Sequence, residues 1–183
     1  MNRFAAIIAA ALIATPALAD DVTDTLESAL EAYQSGDIAG ALDELDFAKS
    51  LLQELNADAL TSFLPPAPKG WTREIVEGDG PGLALLGGGA SAEAKYTRGD
   101  DTLTVQIMAD NPLVTTMSGI LSNASMLGLK VKRIGREKFM LNDGELTGLI
   151  DKRILVTASG GTIDEMAALL EGIDFKKLAD FGN

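Results

Sequence analysis

The residues that could perform chemistry in this chain are carboxylates, hydroxyls and lysines, because its 183 residues include no histidine and no cysteine. These absences exclude Ser-His-Asp and Cys-His nucleophiles, cysteine redox chemistry, and zinc, copper or haem sites with the usual ligands. The chemistry that remains is catalysis by paired carboxylates, serine–lysine chemistry, or binding of calcium or magnesium through oxygen atoms. No cofactor is predicted.

Carboxylates at predicted turns are the candidates for such chemistry: Asp79, Asp100, Asp101, Asp110, Asp143 and Asp151. Their spacing does not match the Asp-x-Asp-x-Asp-Gly calcium loop, and the Ser-x-x-Lys and Gly-x-Ser-x-Gly markers of exported hydrolases are absent. Turn and cap roles explain each of these acids without catalysis. We therefore expect a non-enzymatic protein, with a carboxylate-dependent hydrolase as the least favoured alternative.

A glycine-rich segment, residues 78–89, is the first candidate binding element. It matches neither glycine fingerprint of nucleotide-binding proteins. The simplest interpretation is a flexible connection between two strands. The alternative is a mobile loop that inserts Leu83, Leu85 and Leu86 into a partner, a ligand or a bilayer surface.

A basic cluster is the second candidate. Strand alternation predicts that Lys130 and Lys132 share one face, and Arg136 and Lys138 could lie beside them on the next strand. A solvated sheet face is the favoured interpretation. The alternatives are a patch for an anionic partner, or a docking surface for residues 20–66, which carry eleven acids and one base. The net charge of −12 argues against nucleic-acid or anionic-membrane binding.

The first nineteen residues have the three regions of a secretory signal peptide. Asn2 and Arg3 precede an apolar run, and Ala17-Leu18-Ala19 has the small-x-small pattern of a cleavage site. We expect cleavage between Ala19 and Asp20, which would leave a periplasmic or secreted protein without a stable membrane anchor.

Residues 20–63 are predicted to form an acidic helical hairpin, because apolar residues recur at helical spacing on both sides of Ser35-Gly36-Asp37. The run Tyr33-Gln34-Ser35-Gly36-Asp37, followed by Ala41, Leu45 and Ala48, resembles the middle of a tetratricopeptide repeat. In that family the Gly-Asp pair stands at the turn, and a small residue follows where the helices cross. The motif occurs once, so we predict a single hairpin packed on its own domain and not a peptide-binding superhelix.

The remaining chain is predicted to be a proline-rich linker, residues 64–70, followed by an α+β domain, residues 71–183. Alternating apolar and polar residues after Trp71 indicate an antiparallel sheet with one wet face, and helices are expected after Asn111 and Thr162. The predicted fold class is therefore α+β: an N-terminal helical hairpin followed by a twisted antiparallel sheet with helices packed on one face. Pro68, Gly70 and Trp71, with this order of elements, resemble the PsbP/Mog1-like domains of exported proteins. The resemblance implies a non-enzymatic accessory or binding role.

The function expected from the sequence is that of an exported, soluble accessory protein that acts through a protein partner in the cell envelope. The alternative is a carrier that holds a small apolar ligand between sheet and helices, under the glycine-rich segment. A large apolar pocket at that place would favour the carrier.

Overall fold

A computed structural model describes residues 17–76, 88–123 and 128–182. The chain divides into two compact units, Met1–Leu51 and Leu52–Asn183, and the division falls inside the second helix. The helices are α1 (Ala17–Ser35), α2 (Ile38–Thr61), α3 (Pro112–Ser122), α4 (Ile163–Leu170) and α5 (Phe175–Ala179). The strands are β1 (Thr72–Val76), β2 (Ala90–Arg98), β3 (Asp101–Ala109), β4 (Lys130–Ile134), β5 (Glu137–Asn142), β6 (Glu145–Ile150) and β7 (Ile154–Ser159).

The predicted helical hairpin is present as α1 and α2, joined by a two-residue turn. Gly36 takes the positive φ of 87° that commonly ends a helix, and the Asp37 amide donates to the Ala32 carbonyl oxygen at 2.9 Å. Asp37 then caps α2, since its Oδ1 accepts from the Gly40 amide at 3.0 Å. One Gly-Asp pair therefore ends one helix and begins the next.

The seven strands form one antiparallel sheet in the order β1-β2-β3-β7-β6-β5-β4. The alternation predicted from the sequence is confirmed: Ala94, Tyr96, Val105 and Ile107 are buried, whereas Thr104 and its neighbours on the other face are partly exposed. Tight turns join β2 to β3 and β5 to β6. In the second turn Asp143 and Gly144 both have positive φ angles, as is typical of an Asn-Asp-Gly sequence between two hairpin strands.

Helices pack on one face of this sheet, as predicted. α4 begins at a capping box, in which the side chains and amides of Thr162 and Glu165 bond reciprocally. Met166 and Leu170 of α4, Leu178 of α5 and Leu60 from the end of α2 join the buried sheet residues in one core cluster. The fold is therefore α+β, with the predicted helical pair preceding the sheet.

Candidate functional site

The main candidate site lies on the hairpin, where large apolar side chains face solvent. The sequence pattern predicts that one apolar stripe on each helix is buried. In the structure the smaller members of the stripe, Ala29, Ala41 and Ala48, are buried. Val22 is also buried, whereas six larger members are 44% to 65% exposed: Leu26, Leu30, Tyr33, Ile38, Leu42 and Leu45. The small alanine side chains are therefore covered, whereas the longer side chains beside them extend into solvent.

These exposed side chains line one groove of about 410 Å³ within the hairpin. Its walls are seven aliphatic side chains and one tyrosine: Leu26, Ala29, Leu30, Tyr33, Ile38, Ala41, Leu42 and Leu45. Burying one such large side chain fully is worth about 1.5–3 kcal/mol, so leaving six half-exposed forgoes a considerable stabilisation. A contiguous apolar patch with a polar border is typical of an interaction surface.

The groove lies in a strongly acidic segment. Residues 20–51 contain nine acids and one base, Lys49, a net charge of −8. Residues three or four positions apart on a helix are surface neighbours. By that spacing the exposed Glu27 lies beside Leu30, and the exposed Asp46 lies beside Leu42. Carboxylates therefore border the groove on both helices.

The leucines predicted as binding residues, Leu83, Leu85 and Leu86, lie outside the described residues. The end of their segment is held in place by Asn111, whose side-chain amide donates to the Gly88 carbonyl oxygen. Gly89 has φ +100°, and a Cβ there would lie 2.7 Å from the Ala109 carbonyl oxygen. Only glycine fits this close approach between the segment and the end of β3.

The predicted basic cluster is divided between the two faces of the sheet. Lys130 and Lys132 share a face, and the Lys132 ammonium group lies 2.7 Å from the Asp164 carboxylate. Lys138 pairs in register with Arg133, on the opposite face to Lys132, because successive residues of a strand alternate. Arg136 lies in the turn between β4 and β5. The sequence alone could not show how the basic residues divide between the two faces of the sheet, because the face of each residue follows from the strand register.

β4 is also an edge strand, and its charges have a structural explanation. An edge presents unpaired amides and carbonyls to any other chain, and lysines there disfavour such pairing. Any role of these basic residues in binding a partner stays a prediction.

Several of the turn acids that the structure describes have structural roles. The Asp101 carboxylate lies 2.9 Å from the Arg98 guanidinium, and Asp110 lies 3.2 Å from Arg153. Asp143 occupies a left-handed position with φ 48°. Within residues 17–76, 88–123 and 128–182, no group of three or more acidic side chains is placed to hold a metal ion.

Two helix-capping carboxyl groups have shifted pKa values. Hydrogen bonds from Thr162, then the Arg98 guanidinium, lower the pKa of Glu165. Hydrogen bonds from Lys177 lower the pKa of Asp174. A general acid at neutral pH needs the opposite shift, so these two groups favour a capping role over catalysis.

No helix in the described part of the chain combines the length and the apolar character that a bilayer-spanning segment needs. Comparison of the chain with protein-family models, curated proteins and solved structures found no match. The function is therefore inferred from the groove and the charges around it.

Proposed function

We propose that this protein is an exported, non-enzymatic accessory protein that binds a protein partner, with the groove between α1 and α2 as its docking site. The observation that carries the proposal is the set of six large apolar side chains, 44% to 65% exposed, around one groove. Grooves of this kind receive the apolar face of a partner segment. Export is supported by the signal-like pattern of residues 1–19.

A small apolar ligand is the second candidate occupant, because a volume of about 410 Å³ falls within the usual range of ligand pockets. The exposure of the walls favours a protein segment. Ligand pockets bury most of the ligand's surface, whereas Leu30, Tyr33 and Leu42 are each more than half exposed. A helix laid along the groove would cover these side chains with its own apolar face.

The test is native mass spectrometry of the protein isolated from its host, for the wild type and for Leu30→Glu combined with Leu42→Glu. We expect the wild type to be bound to a second polypeptide. Its own chain should have the mass of residues 20–183 after the complex is dissociated. The groove variant should lose the polypeptide, and its affinity for the purified partner should fall by at least about 10-fold. Both positions are exposed, so the thermal unfolding curve should change little.

The matched control is Thr102→Glu combined with Thr104→Glu, which adds the same charges to the partly exposed face of β3. This control should keep the partner. A groove variant that keeps the polypeptide would disprove docking at the groove, and a bare wild-type chain would count against a stable partner. A bound small molecule that the groove variant loses would establish the carrier instead.

Two further variants test the residues that the sequence suggested. One reverses the charge at Lys130, Lys132, Arg136 and Lys138, and the other replaces Leu83, Leu85 and Leu86 by serine. Unchanged capture of the partner by either variant would remove that set of residues from the interface.

A further inference from the structure

We infer that the occupant of the groove is a cationic amphipathic helix: a partner segment with one apolar face, flanked by lysine or arginine residues. The inference rests on the proposed function and specifies the chemistry of the partner. Three properties of the hairpin support it: the charge around the groove, the length of the groove walls, and the hydrogen bonding of the helical backbone that forms them.

The charge around the groove selects the sign of the partner. Residues 20–51 carry a net charge of −8, and Glu27 and Asp46 border the groove on its two helices. An apolar segment bordered by lysine or arginine would place opposite charges against these carboxylates, which favours encounter and correct register. A second copy of residues 20–51 would bring a further eight net negative charges to the same place, which disfavours self-association through the groove.

The length of the walls sets the size of the segment. On α1 the exposed apolar residues run from Leu26 to Tyr33, and on α2 they run from Ile38 to Leu45. Each wall is eight residues long, and the seven steps from its first to its last residue cover about 10 Å at a rise of about 1.5 Å per residue. A partner helix would match this length with apolar residues at i, i+3 or i+4, and i+7.

The backbone of the hairpin selects a helix over an extended peptide. Both walls are α-helices, whose interior amides and carbonyls are bonded within each helix. The groove therefore offers no strand edge to which an extended segment could add. A partner that enters an apolar groove must satisfy its own backbone groups, and a helix does so internally.

The test uses the chain of residues 20–183 and three fluorescent synthetic peptides of about 18 residues, long enough for five helical turns. The first peptide has a leucine face and a lysine face. The second replaces every lysine by glutamate. The third keeps the leucines and lysines but distributes the leucines around the helix. We expect the first peptide to bind, the other two to bind at least about 10-fold more weakly, and its affinity to fall between about 0.05 M and about 0.5 M salt.

A matched pair of variants separates the border of the groove from the overall charge. Glu27→Lys combined with Asp46→Lys should weaken binding of the leucine–lysine peptide by at least about 10-fold. Asp100→Lys combined with Glu171→Lys makes the same change in net charge at exposed positions of the sheet unit. This control should weaken binding by less than about 3-fold.

The outcomes distinguish the two proposals. Equal binding of the lysine and glutamate peptides, equal binding of the scrambled peptide, or equal weakening by the two variants would overturn the cationic-helix inference. So would the absence of peptide binding by a protein whose native partner still depends on Leu30 and Leu42, and the proposed function would then stand. The proposed function itself fails if the native partner remains bound to the Leu30→Glu, Leu42→Glu variant.

Discussion

Tyr96 shows how single residues connect the chain segments of the sheet unit. It is fully buried, and its hydroxyl donates to the Pro65 carbonyl oxygen at 2.6 Å. The Arg73 guanidinium donates to the same carbonyl at 3.1 Å and to the Leu64 carbonyl oxygen at 3.0 Å. The beginning of the proline-rich segment, which the sequence suggested was a linker, is therefore held against β2.

Replacing Tyr96 by phenylalanine should lower the free energy of unfolding by about 1 kcal/mol at neutral pH, the usual contribution of one hydrogen bond. Burial raises the pKa of Tyr96 to about 12, although nearby Arg73 opposes the shift. The folded protein therefore holds the proton of the Tyr96 hydroxyl more tightly than the unfolded chain does. The contribution of Tyr96 to the free energy of unfolding is complete below the ordinary pKa of about 10 and is lost as the pH rises toward 12.

Urea unfolding of the wild type and the Tyr96→Phe variant at about pH 7 and about pH 11 measures the effect. Using the difference between the two proteins removes the contributions of all the groups that they share. We expect the advantage of the wild type to shrink at the higher pH. A difference that does not change with pH would contradict the assigned role of the hydroxyl.

At the scale of elements, the pairing of β5 with β6 depends on a missing side chain. Phe139 lies opposite Gly148 in the register, and its ring is fully buried. A Cβ built on Gly148 would lie 2.6 Å from the Phe139 ring, closer than side chains tolerate. The ring also lies 5.7 Å, between centroids, from Phe175 of α5, so it cannot move away without disturbing that contact.

Gly148→Ala should therefore destabilise the protein by about 1–3 kcal/mol, the usual effect of overpacking a core. Combining it with Phe139→Leu removes the ring that the new methyl group meets. The cost of Gly148→Ala should then be smaller than in the wild-type background, which a double-mutant cycle of unfolding free energies measures. Additive effects of the two substitutions would show that the ring is not the obstacle.

At the scale of the whole molecule, the two units differ in what they bury. β3 and β7 are each bonded to strands on both sides, and Val105, Ile107 and Val156 among them are fully buried. The hairpin unit buries three alanines, Val22 and Leu51, and leaves seven large apolar side chains exposed: the six around the groove, and Phe47. Its own packing therefore contributes less stability per residue than the packing of the sheet unit.

Amide hydrogen exchange should show this difference. We expect the amides of residues 103–107 and 154–158 to exchange most slowly, and those of residues 22–33 to exchange faster, because segments with little buried apolar area open more readily. Mass-spectrometric exchange on the chain of residues 20–183 measures both. Bound leucine–lysine peptide should slow exchange in the hairpin. Equal protection of the two regions in the free protein would contradict this account of their stability.

The elements that the sequence predicted correctly are those determined by neighbouring residues. The helices on both sides of Ser35-Gly36-Asp37, the alternating strands after Trp71 and the helices after Asn111 and Thr162 occur as predicted. Each depends on alternation, backbone conformation or side-chain bonding within a few residues. The α+β class follows from their order along the chain.

The features that the sequence did not reveal depend on residues far apart in the chain. β7 lies between β3 and β6, and Lys138 lies on the opposite face to Lys130 and Lys132. Strand order and register follow from the packing of the whole sheet.

The same division applies to the candidate site. The sequence alone determined the helical spacing of the apolar residues and the acidity of the hairpin, because both can be counted along one helix. Only the tertiary structure decided which apolar residues are buried: Ala29, Ala41 and Ala48 are enclosed, and Leu30 and Leu42 are left exposed around a groove. Helical periodicity indicates which face of a helix is apolar, but the packing of the folded chain determines which side chains on that face are covered.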